Sequence, residues 1–282
     1  MIQKNKILFH VNLTLLITFL SFSLLSGFVQ PILGIFSPLL LFSLLFFVVP
    51  YIFTKKKNFN FKEIFSLKKI SIKELAIVIF TSFLVLILAQ LISALLLQLY
   101  KILSIKHKSQ LILKTKTLVI VFQFFVTALF VPIMEEIYFR GFLFGVYKKY
   151  KLKHVVILTG ILFGLFHIQL HVVIGTAIAG IIWGYFVKYT KSIISSIIAH
   201  ILFNATTLSM FYINTLGKNP ANVNKKIIVL KYGEIASIIF VAIFCILVIY
   251  LMLKLLKRNY KKKLSLETSF EEQKEEIPSV EH

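Results

Sequence analysis

The feature that most constrains this chain is a series of long apolar runs separated by short polar stretches. About 20 consecutive apolar residues are enough to cross the hydrocarbon core of a bilayer. The sequence offers eight such segments, over roughly 7–29, 32–53, 74–100, 117–146, 155–170, 171–189, 192–213 and 233–256. A backbone in lipid must satisfy its own polar groups, and apolar segments of this length do so as helices. The predicted fold class is therefore all-α, a polytopic transmembrane helix bundle of about eight membrane-spanning helices. Lys4 and Lys6 ahead of the first run imitate a signal peptide. That run is long, however, no small-residue cleavage site closes it, and further spans follow, so it reads as a true membrane helix.

The polar stretches carry most of the charge. The formal net charge is +21, a value that in a soluble protein points to nucleic acid. Here the lysines lie between apolar runs, where they act as topology signals and contacts to anionic headgroups. No polar face interleaves aromatic and basic residues as nucleic-acid binders do, so a nucleic-acid partner is not expected. With the N-terminus inside, the inner segments hold 21 Lys and Arg and the outer segments 9. The expected localisation is the cell membrane, multi-pass, with both termini cytoplasmic. Residues 54–73 mix lysines with Phe, Ile and Leu, and read either as an amphipathic segment on the inner leaflet or as an ordinary basic loop. Residues 1–260 read as one integral membrane domain. Residues 261–282 turn acidic and polar and read as a disordered cytoplasmic tail.

Composition removes several chemistries. All 11 acidic residues are Glu, so a paired-aspartate intramembrane protease is excluded. Cys245 is the only cysteine. It rules out an intramolecular disulfide and a Cys-based metal site, and it reads as a packing residue.

Ionisable groups are costly in a bilayer, so each one inside a span is a functional candidate. The candidates are Glu135, Glu136 and Arg140 in the fourth segment, His167 in the fifth, and His200 with Asn204 in the seventh. Glu136 and Arg140 are i,i+4 on one helix face, with Glu on the N-terminal side, the favourable order for a pair. Glu135 is turned about 100° away and its i+4 neighbour is Phe139. It is thus the freer carboxylate and the better candidate general base. Pro132 is expected to loosen the local helix. A convergent Glu, two His and an Asn can hydrolyse a peptide bond: Glu, helped by His, takes a proton from water, and a His or Asn N–H stabilises the oxyanion. The same residues could instead only pack helices together. A proton-coupled transporter also fits buried Glu and His, but two matching halves with broken helices are not evident.

Three motifs occur in order on successive hydrophobic segments: Glu-Glu-x-x-x-Arg at Glu135, Glu136 and Arg140, Phe-x-x-x-His at Phe163 and His167, and His-x-x-x-Asn at His200 and Asn204. In this combination, over about residues 117–213, the chain resembles the type II CAAX-protease and bacteriocin-processing family of intramembrane peptidases. The resemblance implies an eight-helix membrane fold with a conical cavity open to the cytosol. It implies Glu135 as base acting with His167 on water, His200 and Asn204 as the oxyanion site, and Arg140 with Glu136 holding the site together. The family is also described as metal-dependent, with Glu and His as ligands. Glu135, His167 and His200 would then be the zinc ligands. No His-Glu-x-x-His helix is present, and water activation without a metal is the preferred expectation. The implied partner is a small hydrophobic or amphipathic membrane-associated peptide or protein, such as a bacteriocin or pheromone precursor. Two other roles are known on this scaffold, a nonenzymatic immunity or regulatory protein and an acyltransferase component of lipoprotein modification.

Overall fold

The computed structural model describes residues 10–22, 24–25, 34–57, 60, 64–102, 117–147, 152–216 and 232–275. These residues form helices and, among them, no strand. In chain order the helices are α1 (His10–Phe22), α2 (Ser37–Lys56), α3 (Ile72–Ile102), α4 (Leu118–Tyr147), α5 (Leu152–Leu165), α6 (Leu170–Thr190), α7 (Ile194–Leu216) and α8 (Tyr232–Glu275). Six of them, α2, α3, α4, α6, α7 and α8, are long and apolar enough to cross a membrane. Their outward surface is lipid-like. On α8, Phe240 is 73% exposed and Ile243 61%, and a water-soluble protein rarely displays so continuous an apolar face. The chain is a multi-pass membrane protein.

Two helices depart from the eight expected spans. The described part of the first span is α1, and its flanks, 1–9 and 26–33, lie outside the described residues. The fifth, α5, has 14 residues, which at ~1.5 Å per residue is about 21 Å, short of the ~30 Å core. It ends in a turn at 166–169, where Ile168 takes a left-handed φ of 58°, a conformation that β-branched residues rarely adopt. That turn reverses the chain into α6.

The pairing of α5 with α6 depends on small residues. A Cβ on Gly160 would fall 2.6 Å from the Ile181 nitrogen, and one on Gly164 2.7 Å from the Val173 carbonyl. A Cβ on Gly180 would lie 3.0 Å from the Gly160 carbonyl. The two backbones touch, which is how helices associate when lipid offers no hydrophobic drive between them. Around this pair lies an aromatic core. Phe46 of α2 packs on Tyr138 with ring centroids 4.9 Å apart. Phe139 meets Phe163 edge-on at 5.3 Å, and Phe163 meets Trp183 at 5.6 Å. Cys245 is buried in the same core, as expected of a packing residue.

In the described part of the basic segment before α3, residues 66–71 form a loop rather than a helix, and it is anchored to the bundle at one end. Ile64 and Phe65 are buried. Phe65 lies so close to α4 that a Cβ on Gly141 would come within 2.5 Å of its ring. The Ser66 hydroxyl donates to the Lys191 carbonyl at 2.6 Å, and the Ile193 N–H donates to the Ser66 carbonyl at 2.9 Å. Residues 58–59 and 61–63 lie outside the described residues.

Helix α8 continues to Glu275, past residue 260, where the sequence predicts a disordered tail. A polar segment that cannot nucleate a helix alone can extend one already formed, because only the first turn carries the nucleation cost. The extension is also tied down. Lys263 Nζ donates to both oxygens of Glu74 at 2.8 and 2.9 Å, while Glu74 caps α3 through the Ser71 N–H and hydroxyl. Residues 276–282 lie outside the described residues.

Candidate active site

The site grows from an irregular stretch of α4. The helix runs as α to Phe125, as π over Val126–Phe130, as α over Val131–Glu136, and as π again over Ile137–Leu143. In the first π stretch the Val131 N–H bonds the carbonyl five residues back, at Val126. The next bond in that register would run from residue 132 to Thr127. Residue 132 is proline and has no N–H to give. The Thr127 carbonyl is taken instead by Asn204 Nδ2 of α7, at 3.1 Å. Glu135 and Glu136 thus lie between two π segments, a placement frequent at functional sites.

Glu136 and Arg140 form the ion pair expected from their spacing, Nη1 to Oε1 at 2.7 Å with both side chains fully buried. The other amino group of Arg140 donates to the Gly180 carbonyl at 2.9 Å. Gly180 presents that carbonyl because α6 is drawn against α5 by the glycines described above. The guanidinium also lies 4.6 Å from the centre of the Phe163 ring and 5.6 Å from that of Trp183. Such cation–π contacts gain strength out of water. A fork that holds a carboxylate and a carbonyl at once is arginine geometry, which lysine cannot reproduce.

His200 comes in from α7. Its Nδ1 is 3.0 Å from Glu136 Oε1. The arginine keeps Glu136 an ionised acceptor, so Nδ1 carries the proton and donates. In neutral His200 this leaves the Nε2 lone pair facing Glu135, whose Oε2 is 3.5 Å away. That is an approach distance rather than a formed hydrogen bond. The imidazole lies against Trp183, with centroids 4.4 Å apart and planes 31° apart, and takes the Phe163 ring edge-on at 5.3 Å. Its plane is therefore fixed from two sides. Among the described residues, Glu136 Oε2, Arg140 Nε and Trp183 Nε1 are buried without a hydrogen-bond partner.

His167 and Asn204 flank this cluster. His167 closes α5, half-buried, with Nδ1 donating to the Phe163 carbonyl at 3.0 Å. Its Nε2 lone pair is likewise left over when the ring is neutral. The structure thus brings Glu135, Glu136, Arg140 and His200 together. It also ties Asn204 to α4 through an amide N–H that the sequence assigns to an oxyanion. The amide has a second N–H.

Among the described residues no three His, Cys or Glu side chains are gathered as a metal-ion site. His200 donates Nδ1 to Glu136 and His167 donates its own to the Phe163 carbonyl, so Nε2 is the nitrogen that each would offer to a metal. Sequence reasoning missed Gly180 and Trp183. The signals for them were present: glycines four residues apart at 160 and 164 and again at 180 and 184, and the single tryptophan of the chain one residue before Gly184.

Residues 117–206 match the family described as type II CAAX prenyl endopeptidase Rce1-like. The matched segment contains all six candidate residues from Glu135 to Asn204, so the resemblance carried by the motifs is shown for it. No curated protein and no solved structure matches the chain.

Proposed function

We propose that this chain is an intramembrane endopeptidase that cleaves a small hydrophobic or amphipathic membrane-associated peptide, of the kind found in bacteriocin or pheromone precursors. The observation that supports it most is the buried convergence of Glu135, Glu136, Arg140 and His200 within the segment that matches the family. Four ionisable groups together at membrane depth are too costly to be accidental.

In this reading Glu135 is the general base. It takes a proton from water as the oxygen attacks the scissile carbonyl carbon. The proton passes from Glu135 Oε2 to the facing Nε2 of His200, and the resulting imidazolium is held through Nδ1 by Glu136. His200 then gives that proton to the leaving amine nitrogen as the C–N bond breaks, and Glu135 returns to its starting state. The second N–H of Asn204 is assigned to the oxyanion, and the Nε2 of His167 to the incoming water. Water activation is assigned to these side chains without a metal.

The test is mass spectrometry of membrane peptides and lipoproteins from cells with the wild-type chain and with Glu135→Gln. The variant keeps size and packing but cannot accept the proton. Activity should fall by about 10²–10⁴-fold, with the purified variant as monodisperse as wild type. A changed peptide terminus supports the endopeptidase. A changed acyl group in place of it would make the chain an acyltransferase component, and wild-type processing by the variant would leave only a nonenzymatic role. If a chelator abolishes activity and zinc restores it, Glu135, His167 and His200 become ligands.

A further inference from the structure

The outward face of α8 changes character along its length. Phe244, Leu247 and Leu251 are exposed, and the same stripe continues as Lys254, Arg258 and Lys261. Their spacings of three and four residues keep all six on one side of the helix. The opposite side is held in the bundle by the buried Cys245, Ile249 and Leu256. It is held further by the Lys263–Glu74 ion pair and by Lys191 Nζ, 4.7 Å from the Tyr260 ring centre. The basic stripe is therefore fixed in its outward direction. A groove of about 600 Å³ runs along it, lined by Leu251 and Leu255 and by Lys254, Lys257, Arg258 and Lys261.

Depth identifies the occupant. Residues 233–253 rise about 31 Å at ~1.5 Å per residue, close to the ~30 Å hydrocarbon thickness. Lys254 then falls at the hydrocarbon border. From Lys254 to Lys261 the helix rises about a further 10 Å, which places the four cations across the headgroup layer. No acidic residue occurs between 235 and 266, so none on α8 lies within a turn of them. Apolar side chains above, and below them cations without an ion-pair partner among the described residues, match acyl chain and phosphate in turn.

We propose that this groove binds one anionic phospholipid, its acyl chain against Leu251 and Leu255 and its phosphate among Lys254, Lys257, Arg258 and Lys261. The site is independent of the catalytic reading. Its role is to hold α8 at a set depth, and through Lys263 and Glu74 to hold the start of α3.

The experiment is native mass spectrometry of the full-length protein in non-ionic detergent, titrated with phosphatidylglycerol and with phosphatidylcholine of the same chains. Phosphatidylglycerol should be retained at least about tenfold more tightly, since each cation near an anionic surface is worth roughly fivefold. The preference should shrink as salt is raised. The variant carrying Lys254→Gln, Lys257→Gln, Arg258→Gln and Lys261→Gln should lose it, whereas Lys55→Gln, Lys56→Gln and Lys57→Gln together should keep it. Should the fourfold variant not fold, Lys257→Gln with Arg258→Gln and the salt series decide. Equal retention of both lipids by wild type overturns the proposal, as does a preference that survives the α8 substitutions. So does an equal loss in the Lys55–57 variant, which would mean diffuse charge, or displacement of the lipid by inorganic phosphate, which would mean a free-anion site.

Discussion

Arg140 joins three helices by way of one guanidinium: Glu136 on its own helix, the Gly180 carbonyl on α6, and the face of Phe163 on α5. Removing it leaves a fully buried carboxylate without its charged partner, and leaves the Gly180 carbonyl with only the bond of its own helix. Loss of one member of a buried pair costs about 3–5 kcal/mol. Arg140→Ala should therefore lower thermal stability and the yield of monodisperse protein, and not activity alone. Arg140→Lys keeps the charge but cannot fork to two acceptors, and should fall between the two in a thermal-unfolding assay. A fully stable but inactive Arg140→Ala would transfer Arg140 to direct action on substrate. The Glu136–Arg140 pair was legible in the sequence because both residues share one helix turn. The partner of His200 was not, because 64 residues separate it from Glu136 and no local rule reaches that far. The sequence also assigned His200 to the oxyanion, but only the structure shows which ring nitrogen Glu136 has already engaged.

At the scale of the helix, the link between Pro132 and Asn204 carries a prediction that separates structure from chemistry. Asn204 bonds the Thr127 carbonyl, the one that a residue with an N–H at position 132 would satisfy in the π register. Asn204→Ala should therefore destabilise the protein by about 0.5–1.5 kcal/mol, the net worth of a typical hydrogen bond, since this one lies on an exposed side of the bundle. Pro132→Ala in the same chain restores an N–H at that position. The double variant should regain stability, giving a coupling energy between two sites on different helices. If Asn204 also serves the oxyanion, the double variant recovers folding but remains about 10²–10³-fold low in activity. Additive stability losses would show that the carbonyl is not shared. Pro132 was visible as a loosening element. The π stretches were not, because a helix apolar on all sides has no periodicity for a shifted register to break. The sequence places the end of α5 a few residues late, at 170 rather than 165: Phe166, Ile168 and Leu170 keep the segment apolar on average, although His167 and Gln169 interrupt it and the left-handed Ile168 turns the chain.

The bundle as a whole has two ends, and the charge pattern agrees with its contacts about which segments share one. Ser66 bonds the Lys191 carbonyl, and Glu74 pairs with Lys263. These contacts bring together the segment before α3, the α6–α7 junction and the extension of α8, all of which the 21-to-9 distribution of basic residues assigns to the cytoplasmic side. The shortness of α5 does not disturb this. Whether α5 crosses or only enters the bilayer, the α5–α6 pair starts at residue 152 and returns at residue 190 to the same end. Helix number and order were legible because hydropathy is a property of whole segments, whereas the joining of ends depends on single contacts such as Lys263 with Glu74. Reporter fusions at the C-terminus and within 54–60 should both read cytoplasmic, and a fusion within 104–114 should read external. The 54–60 position is chosen ahead of Ile64 and Phe65, whose burial against α4 a reporter would disturb. An external signal there, with the C-terminal fusion still cytoplasmic, would mean that the first two helices do not cross as a pair. The segment holding Ser66 could then not share an end with Lys191, and both the orientation and the packing of α3 against α8 would have to be redrawn.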